Sequence, residues 1–161
     1  MSMPPRRPRP KRTQRSHARA LGLQALCLFD SLGERFNEQL ESFLHDSQVY
    51  ADLGFARSPG VNNLCFARDL AREAWQSRDR YDQLLRQAVT DWSLSRMPPV
   101  DRNILRLGLH ELLAHPDTPP EVVINEAVEL AREFGSEDSP AFVNGVLDRI
   151  RKELGIGESA E

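Results

Sequence analysis

Between Val100 and Leu113 the chain carries Ile104, Leu105, Leu107, Gly108, Leu109, Leu112 and Leu113. At about 100° per residue these positions cover most of a helix's circumference rather than one stripe. A helix that is apolar nearly all round has to be enclosed, so the segment predicts a central helix with others packed around it. Met97-Pro98-Pro99 breaks the chain just before it. Gly108 in its middle costs about 1 kcal/mol against alanine, which a close helix crossing would offset. Asp101 falls in the first turn, where the helix macrodipole favours a carboxylate.

The enclosing helices can be read on both sides. Thr118 before Pro119-Pro120-Glu121 predicts a capping box with proline at the first helical position. Val123, Ile124, Ala127, Val128, Ala131 and Phe134 then form one stripe, and Gly135 is expected to end the helix in the left-handed conformation. Ser139, with Pro140 behind it, is expected to cap a last helix whose stripe is Val143, Val146, Leu147, Ile150 and Leu154. Upstream, a helix starting near Thr13–Ser16 has Ala18, Leu21, Gly22, Ala25, Leu28, Phe29 and Leu32 on one face, with a narrower second face of Leu23 and Leu26, and Gly33 at its end. Phe36, Leu40, Phe43 and Leu44 predict a short helix to about residue 47. Residues 48–61 read as a connection broken by Gly54, Pro59 and Gly60. Asn62 or Asn63 is expected to cap a third helix with Phe66, Ala67, Leu70, Ala71, Ala74 and Trp75 on its face. A fourth, separate or continuous with it, carries Tyr81, Leu84, Leu85, Ala88, Val89 and Trp92. No strand-like alternation and no repeat of 20–50 residues is visible. The expectation is an all-α, compact bundle of about seven helices over residues 15–155, with a flexible Arg/Pro-rich arm at 1–14 and a flexible tail at 156–161.

Charge is distributed unevenly. Residues 1–20 hold seven basic residues and no acid, which leaves 14 basic against 24 acidic residues in the rest of a chain whose net charge is −3. A basic arm on an acidic body suits nucleic acid, a localisation signal or a solubilising tail. Arg12, Arg15 and Arg19 follow one another at helical spacing, so they carry the arm's charge onto a rigid element, where guanidinium groups can be aimed at phosphates. No apolar segment follows the arm as a secretory signal requires, and Pro4, Pro5, Pro8 and Pro10 would break a transit-peptide helix. No stretch approaches about 18 apolar residues. A cytoplasmic location is expected, with no membrane partner. Cys27 and Cys65 lie apart in helical segments and are expected to be reduced and packed.

Catalytic signatures are missing. There is no phosphate loop, dinucleotide fingerprint or HExxH. His110 and His115 lie near one helix end with no third ligand in view, so neither a metal nor a cofactor is expected, nor a catalytic residue. One flank of the last helix stands out: Phe142, Gly145 and Arg149 share a side roughly 100° from the core stripe. On spacing alone Phe142 either covers the edge of the core or stacks on a base.

Several longer stretches are distinctive together: Ile124–Arg132 (INEAVELAR), Phe134-Gly135, Glu137–Ser139, Phe142–Asp148 (FVNGVLD), Val100–Leu112 (VDRNILRLGLHEL), Ala18–Leu26 (ARALGLQAL), and Phe66 with Arg68-Asp69-Leu70. In these residues and their order the chain resembles the NusB family of bacterial transcription antitermination factors; the likeness is specific. It spans about residues 15–150. It implies two helical sub-bundles and a non-enzymatic role: binding boxA-type single-stranded RNA of nascent, chiefly ribosomal, transcripts together with NusE, a ribosomal protein of the small subunit, within an RNA polymerase antitermination complex. It places the RNA face on Arg15 and Arg19 and on Asp138, Ser139, Phe142 and Asn144, with Phe142 as a base-stacking ring; helical spacing adds Arg12 to the first group and Arg149 to the second. It places NusE against Asp101, at the exposed start of the central helix, and near Cys27.

Three departures from the family pattern are visible. Arg15-Ser16-His17 replaces consecutive arginines, Ala141 stands where a relative can have lysine, and Cys27 replaces an aromatic near the NusE surface. Two other readings stand beside the first. NusB-like domains also seat the substrate of RNA cytosine methyltransferases, although 161 residues leave no room for the cofactor domain. A purely structural protein-interaction module, such as a homodimer formed without RNA, is the third.

Overall fold

The computed structural model describes residues 13–89 and 94–158. These form eight α-helices: α1 (Gln14–Leu32), α2 (Leu40–Leu44), α3 (Ser47–Asp52), α4 (Val61–Gln76), α5 (Arg78–Ala88), α6 (Pro99–Ala114), α7 (Pro120–Phe134) and α8 (Ser139–Glu153), with 3-10 turns at Gly33–Glu38 and Leu94–Arg96. No strand occurs among the described residues. The all-α expectation holds, and α6 is the central helix: Asp101 and every residue from Asn103 to Leu112 are buried. It packs against α1 and α4 on one side and α5, α7 and α8 on the other. α1, α2 and α4 form one sub-bundle and α5–α8 the other.

Two glycines allow the close crossings. A Cβ on Gly22 of α1 would stand 3.3 Å from the Ala67 carbonyl oxygen of α4, and one on Gly108 of α6 would stand 2.8 Å from Leu147 Cδ1 of α8. The crossing expected at Gly108 is therefore between α6 and α8. Thr13 caps α1 by accepting the Ser16 N–H at 3.0 Å. Gly33 closes it at φ 72°, a conformation that side chains disfavour.

Several helix ends differ from the sequence reading. Thr118 does not cap α7: Pro119 holds that position, and the Thr118 N–H turns back to the His115 carbonyl at 3.1 Å. Gly135 is extended, with φ −92° and ψ −168°, not left-handed. Glycine is needed there for space, since a Cβ would stand 2.5 Å from Ser139 Oγ. Gly60, not Asn62 or Asn63, precedes α4, and Asn63 Nδ2 donates back to the Pro59 carbonyl at 3.1 Å. The expected connection at 48–61 contains most of α3, which Asp46 caps through the Gln48 N–H at 2.9 Å. The Tyr50 hydroxyl of α3 donates to the Leu44 carbonyl, and Phe55 stacks on His17 of α1 at 4.4 Å. α5 is separate from α4, broken at Ser77, and Trp92 lies outside the described residues. At the carboxyl end Ile156 folds back onto the core, so the packed body reaches one residue into the expected tail.

Candidate nucleic-acid interface

The first turns of α1 sort their charges by depth. Arg15 is exposed, and its guanidinium carbon lies 4.1 Å from the Phe66 ring centroid on α4. A cation over an aromatic face gains about 0.5–1 kcal/mol at exposed sites. His115 meets the same ring edge-on, with centroids 6.1 Å apart. Sequence reasoning placed Phe66 only on the apolar face of α4. Its role as a seat for Arg15 depends on two helices far apart in the chain.

Arg19 points inward and is 5% exposed. Its Nε donates to Glu111 Oε2 at 2.9 Å and its Nη2 to Glu111 Oε1 at 2.9 Å, with Glu126 at 3.7 Å. Glu126 also accepts the Ser16 hydroxyl at 2.8 Å, fastening the start of α1 to α7. The row expected of Arg12, Arg15 and Arg19 is thus corrected. Arg12 lies outside the described residues, Arg15 reaches solvent, and Arg19 is spent on two carboxylates. A guanidinium unpaired in the interior would cost several kcal/mol, so the inward side chain must be matched. The sequence did hold a signal: Glu111 and Arg106 sit on the enclosed α6, where a charge has to find a partner. Arg106 does so with Asp82, through bonds of 2.8 and 2.7 Å.

The start of α8 is organised from within. Ser139 is 1% exposed; its hydroxyl donates to Asp101 Oδ1 at 2.8 Å and accepts the Ser136 N–H at 2.9 Å. Ser139 N–H bonds the Ser136 carbonyl at 3.1 Å, and Pro140 has no N–H, so this helix start offers few backbone donors to a ligand. Asp138, not Ser139, occupies the cap position. Asp101 is correspondingly not at an exposed helix start: it is 4% exposed and locks α6 to α8. Both expected contact residues therefore position helices.

On the outside of α8 and its cap, Asp138, Asn144 and Arg149 are exposed and Phe142 is half-buried against the core. Helical geometry puts Phe142, Asp138 and Arg149 within about 40° of one another, whereas Asn144 projects roughly 160° from Phe142. Arg149 bonds Glu153 at 3.1 Å and donates to the Ala88 carbonyl at 3.0 Å, capping the end of α5. The α1 group is thus anchored to α4, α6 and α7, and the Arg149 flank to α5.

Cys27 is partly buried beside a charged cluster joining α1 to α6. Burial pushes its thiol up to about 11, against the pull of the Asn103 amide 3.6 Å away. Asp30, one turn on, accepts from Arg102 at 2.6 Å and Asn103 at 3.1 Å and lies 3.4 Å from Arg106. Burial alone would raise its carboxyl, but Arg102, Arg106 and Asn103 outweigh it and hold the group below its ordinary value.

No helix among the described residues is long and apolar enough to cross a membrane. A family model described as the NusB family matches residues 16–152. The chain is similar to a transcription antitermination protein NusB of Desulforapulum autotrophicum, 41% identical over 146 residues, covering 89% of this chain and 96% of that one. It is similar to another of Myxococcus xanthus, 43% identical over 140 residues, covering 87% and 93%. Among solved structures it resembles T. maritima NusB, at TM-score 0.67 and 34% identity over 89% of this chain and 94% of that one. It also resembles a chain from a complex of antitermination factors NusB and NusE with dsRNA, at TM-score 0.70 and 27% identity over 87% and 97%. A match over nearly the whole helical body, at this identity and with the same fold, means that the chain belongs to the NusB family.

Proposed function

We propose that the chain is an RNA-binding transcription antitermination factor. It binds boxA-type single-stranded RNA of nascent ribosomal transcripts together with NusE, as part of an RNA polymerase antitermination complex. Its role is binding rather than catalysis. The observation that carries this reading is Arg15, exposed and seated on Phe66 directly after a run of five basic residues in residues 1–12, on an otherwise acidic body. Fixed cations neutralise phosphates and release counterions, while rings hold bases that a single strand leaves unstacked. Arg15, Asp138, Phe142, Asn144 and Arg149 are the proposed RNA contacts. Arg19 and Ser139 act by positioning α1 and α8. NusE is proposed to meet the flank around Cys27, while Asp101 contributes from within by holding α6 to α8. Residues 1–12 serve as a basic arm to the same RNA.

Fluorescence anisotropy of a labelled boxA-like RNA, with and without NusE, tests the proposal. Tighter binding in the presence of NusE is expected. Equal binding in the two cases would remove the cooperative part, and no binding in either would remove the RNA assignment.

A further inference from the structure

His110 is 4% exposed on α6, with both ring nitrogens engaged. Nδ1 lies 2.7 Å from the Tyr81 hydroxyl of α5 and Nε2 lies 2.9 Å from Glu73 Oε2 of α4. His115, at the carboxyl end of α6, brings a second imidazole to the same place, with ring centroids 5.6 Å apart. α4 thus supplies the third ligand that the sequence left out of view. One donor atom from each of Glu73, His110 and His115 falls within 4.8 Å of the others.

We propose that Glu73, His110 and His115 form a binding site for a divalent transition-metal ion, with zinc as the best fit. Two imidazoles and one carboxylate are a zinc donor set that leaves a fourth position for water. Bonds of about 2.0–2.1 Å in a tetrahedron bring ligand atoms to about 3.4 Å from one another, so the cluster must contract. It is built to do so. Glu73 has a half-exposed side chain and His115 is half-buried at a helix end, so both can change rotamer, while His110 is held in place.

Tyr81 supplies the outer-shell partner that metal-binding histidines characteristically have on their other nitrogen. Without the ion, Nε2–H donates to Glu73 and Nδ1 accepts from the Tyr81 hydroxyl. With it, Nε2 gives its lone pair to the metal, the imidazole proton sits on Nδ1, and Tyr81 turns from donor to acceptor. The ring stays neutral and no net proton is released. The nearest buried cation of α1, Arg19, is already paired with Glu111 and Glu126, so it does not oppose the ion as a bare charge.

The test uses the full chain, freed of any affinity tag and stripped with chelator. It is titrated with Co²⁺, followed by visible absorption, and with Zn²⁺ in competition with a chromogenic chelator. One ion per chain and a tetrahedral cobalt spectrum are expected, with a rise in Tm on adding zinc. His115→Ala and Glu73→Gln are each expected to weaken binding about tenfold or more and to abolish the Tm rise. Both residues lie at or near the surface, so the variants fold, and their metal-free Tm checks that they do. His45→Ala and Cys65→Ser, both exposed and away from the cluster, leave binding unchanged. Absence of saturable binding, affinity that survives either ligand substitution, or loss on Cys65→Ser overturns the assignment.

Discussion

Arg19 and Phe142 were expected on the same RNA-facing surface, and their surroundings now assign them different work. Removing Arg19 leaves Glu111, itself 2% exposed, as an uncompensated charge in the core. Breaking a buried pair from one side costs about 3–5 kcal/mol, so Arg19→Ala should lower the free energy of urea unfolding by about that much. Any loss of RNA binding should follow the loss of fold. Phe142 is only half-buried where it packs against the core. Phe142→Ala should weaken RNA binding by about 1–3 kcal/mol if a base stacks there, with a modest fall in Tm from the lost packing. A large fall in Tm with unchanged anisotropy titrations would instead assign the ring wholly to the core. Helical spacing could locate both residues but not their depth. Arg19 reads as a flank charge because its partner, Glu111, is 92 positions away in the chain. Nothing local distinguishes it from Arg15, which does reach solvent.

At the scale of helices, the period of apolar residues revealed α1, α4, α5, α6, α7 and α8, because burial of a stripe is a local pattern with a long-range cause. Their ends were less visible. Thr118 and Ser139 have the chemistry of caps, yet Thr118 is displaced by Pro119 and Ser139 is drawn inside by Asp101. α3 was hidden because six residues carry too little periodicity to stand out between Gly54 and the preceding turn. The join between α1 and α6 is carried by Asp30 with Arg102, Asn103 and Arg106, and it makes stability depend on pH. Its carboxyl lies below its ordinary value of 3.8 in the folded chain. The unfolded chain therefore takes up the proton more readily. The stabilisation is complete above that ordinary value and is lost as pH falls through the lower, folded one. Urea unfolding measured down a pH series should show the native chain losing stability over this acid range more steeply than Asp30→Asn, which has no such proton to bind. Parallel curves for the two would mean that the cluster contributes nothing to the acid limb.

For the molecule as a whole, the division of charge sets how RNA is met. The body beyond residue 20 carries 24 acidic and 14 basic residues, so its long-range field repels a polyanion, and the attraction has to come from the amino-terminal segment. Several of the basic side chains on the body are also committed to carboxylates: Arg68, Arg102, Arg106 and Arg151 all lie in ion pairs. Five of the seven basic residues in the first 20 fall within residues 1–12. Each phosphate contact on a single strand contributes about 0.7 to the slope of log K against log salt. Deleting residues 1–12 should therefore flatten that slope by up to about 3–4 units, and weaken binding most at low salt, where counterion release is largest. The fold should be unaffected, since α1 is capped by Thr13 and begins at Gln14, beyond the deletion. Anisotropy titrations of the full and shortened chains at several salt concentrations, with NusE present, measure the slope directly. An unchanged slope would show that the arm takes no part in binding and that Arg15 and the α8 flank carry the contact alone. A flattened slope with an unchanged preference for boxA over scrambled RNA would assign affinity to the arm and sequence choice to the helical body.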